Sequence, residues 1–265
     1  MGTISVSRAI AVIGILLATH GGTASGAQAM DSQANLPLAQ GNPISVVFNN
    51  STPPDVGTPS GRQRGGASRG PCRNYEALTA LVPTVGDTVW GLTASDHPTF
   101  WFSLPTTLTP ETAVEFTLQD EFNTPVYTTR FTAPGAQAGL IQIAVPLTAQ
   151  PLTVNQTYSW ALAIYCDPAR PFASVSVSGT VKRLALPQAP TSQPATAPSL
   201  EQAKVYAAEG FWHDALNTLA VLYRSDAGQP QVAAAWADLL RQGGLEAIAN
   251  QPITPCCQPA HADQP

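Results

Sequence analysis

Between Glu76 and Leu184 apolar residues return at every second position, and clusters of Gly, Pro, Asn and Asp interrupt them at short intervals. A helix repeats its buried face every 3.6 residues and a strand every 2, so this stretch can bury a continuous face only as short strands. The spacing predicts strands at 77–82, 88–92, 99–104, 113–119, 125–131, 139–145, 157–166 and 173–183. That density is the pattern of an immunoglobulin-like or fibronectin-like antiparallel β-sandwich. The run Val114-Glu115-Phe116-Thr117-Leu118 gives one strand a dry face and a wet face, and Asp120-Glu121-Phe122-Asn123 turns it into the next as a hairpin. Tyr158, at the head of a long apolar strand, stands where such sandwiches carry a tyrosine that pins the crossing between sheets.

Residues 96–105, DHPTFWFSLP, hold the densest aromatic run. Alternation sends Phe100 and Phe102 to one face and Trp101 to the other. Two readings follow. Either the strand is covered on both faces, with the linker or the C-terminal helices closing over Trp101, or Trp101 is an open ring suited to stacking on sugar or peptide. The second reading makes Trp101 a candidate binding residue.

The flanking segments divide the chain. Residues 1–29 carry Arg8, an apolar run from Ala9 to Ala18 and Ala27-Gln28-Ala29, the three regions of a secretory signal peptide, so the mature chain is expected to begin at Met30 in the periplasm or outside the cell. The apolar run is shorter than the roughly 20 residues a spanning helix needs, and no membrane span is expected after cleavage. Residues 30–71 read as a flexible Pro/Gly/Arg-rich arm whose one apolar run, 44–48, is a stray edge strand or part of the arm. Within GRQRGGASRGPCR, Arg62, Arg64, Arg69 and Arg73 alternate with glycines. Converging backbone N–H groups and guanidinium forks there fit an anion, and make Arg62, Arg64 and Arg69 candidate binding residues. The plainer reading is a solvated lead-in to the first strand. A net charge of -5 and a pI near 5.2 give no broad attraction to nucleic acid, which is not expected as a partner.

Cys72 precedes the first strand of the sandwich domain, 72–184, and Cys166 ends the seventh. In an exported chain a disulfide between them is the natural reading, one of three pairings that four cysteines allow. Residues 185–198, with Pro187, Pro190, Pro194 and Pro198, form a semi-extended linker to a helical lobe at 199–250. Ser199 and Gln202 make a capping-box pattern for a first helix that stops at Gly210. A second, 211–224, places Trp212, Ala215, Leu216, Leu219, Leu222 and Tyr223 on one broad face. A third starts near Pro230, carries Val232, Ala235, Trp236, Leu239 and Leu240, and ends at Gly243-Gly244. The pairs Gly210/Gly244 and Ala215/Ala249 recur with a tetratricopeptide-like period, and a plain three-helix appendage fits as well. Too few repeats are present to stand alone, so the hairpin is expected to pack on the sandwich or on a partner. The tail, 251–265, is expected to be disordered, with Cys256 and Cys257 in a mutual or intermolecular disulfide. With His261 they lack the four convergent ligands of a closed metal site, and no metal is assigned.

No nucleophile elbow, phosphate-binding loop or zinc-protease helix is present. Asp96, His97, Asp120 and Glu121 are the groups from which a polysaccharide hydrolase or transferase would be built, and each also reads as an ordinary turn residue. No catalytic residue and no cofactor is assigned.

The pieces GGASRGPC (65–72), LTALVP (78–83), HPTFWFSLP (97–105), VEFTLQDE (114–121), YSWALAIYCD (158–167) and YAAEGFWHDALNTLAVL (206–222) run in order along the mature chain. In them the chain resembles the cyanobacterial domain-of-unknown-function family 928. The resemblance implies an exported protein of a photosynthetic bacterium and no particular activity. The chain departs from the family at His213, a position often aromatic there, and in its Cys256-Cys257 tail. The expectation is a non-enzymatic exported module of the periplasm or cell envelope whose partner is a protein or an envelope polymer. The alternative is a hydrolase or transferase working through the carboxylate and histidine groups of the sandwich loops.

Overall fold

Strand β4 (Thr99–Leu104), which carries the aromatic run, is buried on both faces and sets the layering of the whole molecule. In the computed structural model, which describes residues 45–53, 61–66, 70–167, 169, 172–187, 198–225 and 228–257, it is the middle strand of a three-stranded sheet. Its neighbours are β1 (Thr79–Ala80) and β7 (Gly139–Ala144). Facing them is a six-stranded sheet of β2 (Thr84–Val85), β3 (Thr88–Thr93), β9 (Ser174–Arg183), β8 (Thr157–Tyr165), β5 (Ala113–Gln119) and β6 (Pro125–Thr132), hydrogen-bonded in that order. The molecule is thus mainly β, a two-sheet sandwich followed by a helical lobe.

Alternation located the strands well, with two departures. The expected 77–82 strand shortens to β1, and β2 is too short to show a period. The strands pair antiparallel as expected except at one place, where β3 runs parallel to β9 from Trp90↔Thr180 to Thr93↔Arg183. Between the sheets Phe100, Phe102, Ile141 and Ile143 meet Phe116, Trp160, Leu162 and Ile164. Phe100 lies 5.0 Å from Phe116 and Phe102 5.9 Å from Trp160, ring centre to ring centre. Each such side chain contributes roughly 1.5–3 kcal/mol by leaving water. Tyr158 pins the approach to β8: the Thr153 N–H donates to its hydroxyl at 2.8 Å, and the hydroxyl donates to Gln156 Oε1 at 3.0 Å.

The second face of β4 meets the helices. Helices α1 (Leu200–Ala208), α2 (Trp212–Ser225) and α3 (Pro230–Gln242) pack Ala203, Ala207, Trp212, Leu216, Leu219 and Trp236 against Leu81, Trp101 and Leu140. Trp101 is only 1% exposed, its indole N–H donates to Asn217 Oδ1, and the Arg224 guanidinium lies 5.8 Å from its ring. The reading of Trp101 as an open stacking ring is therefore corrected: α2 covers it. The helices end as their residues dictate. Ser199 Oγ accepts the Gln202 N–H, and Gly210 and Gly244 both take left-handed backbone, φ 80° and 70°, which glycine adopts without strain. Gly243 serves differently, since a Cβ there would stand 2.4 Å from the Trp212 ring, whose N–H donates to the Leu81 carbonyl.

Three flanking segments expected to be loose are tied down where the structure describes them. In the arm, Val46 is buried against the helices, and Gln242 holds that segment through the Phe48 N–H and the Val46 carbonyl. Further along, Arg62 bridges to Ser178 of β9 and Arg64 to Thr79 of β1, so this segment is tied to both sheets. At the start of the linker, Leu184 and Leu186 pack with Trp90, Leu92 and Phe211. In the tail, Ile253 pairs with Leu140 of β7, Gln251 accepts a hydrogen bond from Ser103, and residues 252–254 lie along the smaller sheet. The rest of the arm, the linker from 188 to 197 and His261 lie outside the described residues.

Cys72 is bonded to Cys166 across a sequence separation of 94, which stabilises the fold by about 4–5 kcal/mol in the chain-entropy picture. Cys256 and Cys257 are bonded to each other. Among the described residues no helix is long and apolar enough to cross a membrane.

Candidate functional site at the sandwich–helix seam

Where the helices close over the smaller sheet, the turn between β3 and β4 leaves a cleft of about 430 Å³. Its walls are Thr93, Ser95, His97 and Thr99 from the sandwich and Gln202, Tyr206, Asp214, Asn217 and Thr218 from α1 and α2.

The turn is held from several sides, so the cleft is preformed. The Ala94 N–H donates to Asp214 Oδ2 at 2.9 Å, and the Thr93 side chain and Ser95 backbone bond the same carboxylate. Within the turn the Ser95 N–H reaches Thr93 Oγ1 and the His97 N–H reaches Ser95 Oγ. From β9, Arg183 donates to the carbonyls of Ala94 and Leu152 and stands 3.9 Å from Asp96. Both ring nitrogens of His97 are committed, one to Asp96 Oδ1 at 3.0 Å and the other to the Ala149 carbonyl at 3.2 Å.

Burial shifts two neighbouring groups in opposite directions. Asp214 is raised to about 6, because burial disfavours its charge more than its hydrogen bonds favour it. His213, wholly inside, is lowered to about 4 for the same reason, partly countered by a bond to the Thr99 backbone. Its Nε2 has no hydrogen-bond partner and faces Gly91, where a Cβ would come within 2.9 Å. Asp96 is lowered, chiefly by its hydrogen bond to His97. The Tyr206 phenol is raised, by burial first and by the Asp214 charge second.

The residues expected to form a site are not gathered here. His97 lines the cleft and Asp96, bonded to it, stands behind the wall, but Asp120 uses Oδ1 to accept the N–H groups of Phe122 and Thr124 in its own turn, and neither it nor Glu121 lines the cleft. In the Gly/Arg string, the N–H groups of Arg62 and Gly65 donate to the carbonyls of Ser178 and Leu78 and so are not free for an anion. The side chains of Arg62 and Arg64 are exposed, and Arg69 lies outside the described residues. Among the described residues no group of three His, Cys, Asp or Glu side chains could hold a metal ion. Sequence reasoning missed Asp214, Asn217 and Tyr206. The available signal was the polar pair His213-Asp214 directly after Trp212, in a helix whose remaining face is apolar; an acid in a first helical turn otherwise reads as a partner of the helix dipole.

Residues 64–253 match the family described as Domain of Unknown Function (DUF928). None of the curated proteins compared matches the chain. Among solved structures, the fn3 domain of the human collagen alpha-1(XX) chain is similar over 50% of this chain and 97% of its own length, at 16% identity and a TM-score of 0.24.

Proposed function

The chain belongs to the DUF928 family, whose description carries no activity, and from that premise we propose that it is an exported, non-enzymatic binding module of the periplasm or cell envelope. In this reading the seam cleft takes part of an envelope polymer or of a protein. The observation that carries it is the preformed polar cleft, with walls drawn from two parts of the chain that share one core. Such a concave site, held open by hydrogen bonds made within the protein, is what ligand recognition needs. Export is supported by the signal-like residues 1–29 and by the Cys72–Cys166 disulfide, which suits an oxidising compartment.

The reading as a polysaccharide hydrolase or transferase has less support. A general acid or base must reach its substrate's proton, and both nitrogens of His97 are taken up within the protein while Asp120 closes its own turn. Co-sedimentation of the mature chain with isolated envelope polysaccharide and with envelope proteins tests the proposal. Binding should drop at least about tenfold in a Gln202→Ala/Asn217→Ala double variant that still unfolds cooperatively, although losing the Asn217 acceptor of the Trp101 indole lowers its stability. Equal retention of the variant would refute the cleft as the site, and turnover of a glycan that disappears in His97→Ala would refute the non-enzymatic reading. Export is tested separately by the mass of the chain in the envelope fraction, which should correspond to a start at Met30.

A further inference from the structure

We infer that the seam cleft is a site for an amino sugar, a ligand that presents an ammonium group beside hydroxyls. This rests on the reading of the cleft as a binding site and names the ligand class. The cleft wall holds one carboxylate, Asp214, and no lysine or arginine among the described residues lines it. The groups bonded to that carboxylate are neutral dipoles, the Ala94 N–H, the Thr93 side chain and the Ser95 backbone, which orient it without supplying a counter-charge.

The charged and titratable groups packed around Asp214 are committed elsewhere or neutral. On the β3–β4 turn, His97 is bonded to Asp96 and to the Ala149 carbonyl. At the end of β9, Arg183 is engaged by Asp96 and the carbonyls of Ala94 and Leu152. On α1 the Tyr206 phenol is held in its neutral form, and on α2 His213 is buried as the neutral base. A half-buried carboxylate bonded only by neutral groups, with the nearby Arg183 engaged elsewhere, favours a ligand that brings its own cation, through a charge-assisted hydrogen bond.

The rest of the wall fits a hydroxylated ring better than a lysine stem. Ser95, Gln202, Asn217 and Thr218 offer hydroxyl and amide groups, and Tyr206 adds a ring with a hydroxyl already in contact with Gln202. A cleft of about 430 Å³ lies within the roughly 300–1,000 Å³ range of small-ligand sites.

The test is calorimetric titration of the mature chain with glucosamine, N-acetylglucosamine, glucose and Nα-acetyl-lysine amide, each at about pH 5 and about pH 7, with amide shifts of Gln202 and Asn217 followed by NMR. Glucosamine should bind one to one and at least about tenfold tighter than N-acetylglucosamine near pH 7. That preference should shrink near pH 5, where Asp214 takes up a proton. Asp214→Asn should abolish it. Because Asp214 also anchors the turn, Gln202→Glu is measured alongside: it leaves the anchor intact, adds a carboxylate to the wall and should strengthen glucosamine binding several-fold. Equal affinity for the three sugars, a preference that survives Asp214→Asn in a folded protein, or no gain in Gln202→Glu overturns the amino-sugar inference and leaves the binding reading standing. Tighter binding of the lysine amide than of glucosamine overturns it in favour of a basic peptide. No shift at the cleft with any of the four, together with no retention on envelope material, overturns both.

Discussion

His213 and Asp214 are adjacent residues whose proton equilibria burial has moved in opposite directions, and their effects on stability oppose each other. His213 binds its proton near pH 6.5 when unfolded but only near 4 when folded, so lowering the pH through that window favours unfolding. Asp214 binds its proton near 6 when folded but only near 3.8 when unfolded, so lowering the pH through that window favours folding. Each slope is on the order of 1 kcal/mol per pH unit, and between about pH 4 and 6 they largely cancel. Asp214→Asn should therefore leave the His213 slope exposed, with stability falling by about 1 kcal/mol per unit as the pH drops from 6 to 4. His213→Phe should do the reverse, gaining stability over the same interval. Urea titrations at fixed pH check both, and identical slopes in parent and variants would contradict the burial of this pair. Neither role was legible in the sequence. Helical period places both residues at the start of α2 but says nothing about the turn from another layer that closes over them.

At the scale of elements, β4 is the strand whose position sequence identified and whose environment it left open. Alternation separates Phe100 and Phe102 from Trp101 correctly, because side chains on a strand point to opposite faces whatever covers them. Whether the second face is wet depends on which element packs there, a non-local fact decided by α2. The same distinction between local and non-local causes holds elsewhere in the molecule. The strands, the Ser199 cap, the Gly210 and Gly244 stops and the Tyr158 pin are local patterns and were readable. The parallel β3–β9 pair and the docking of residues 45–53, 61–66 and 251–257 depend on contacts between distant parts of the chain and were not. Two substitutions test the packing of this seam. Trp101→Ala should destabilise the fold by about 3–5 kcal/mol through the cavity it leaves under α2. Gly243→Ala should cost about 1–3 kcal/mol by pushing a methyl group into the Trp212 ring. Denaturant unfolding measures both; a loss below about 0.5 kcal/mol in Trp101→Ala would place that ring outside the core.

At the scale of the whole molecule, the large sheet, the small sheet and the helices form three layers with the small sheet inside. A sandwich without its helices would expose Leu81, Trp101 and Leu140 together, a contiguous apolar patch of the kind that drives aggregation. A chain ending at residue 187 should accordingly be insoluble or molten, whereas a freely appended lobe would leave a well-folded sandwich behind. The cleft belongs to this scale too, since it exists only where the two parts are fixed against each other. Native-state hydrogen exchange of the amides in α2 and β4 tests that union most directly. If one core unites the layers, both sets open with the same free energy, in the global unfolding event. If α2 exchanges through a cheaper opening while β4 stays protected, the helices are a separable appendage, and the seam is not the fixed site described here.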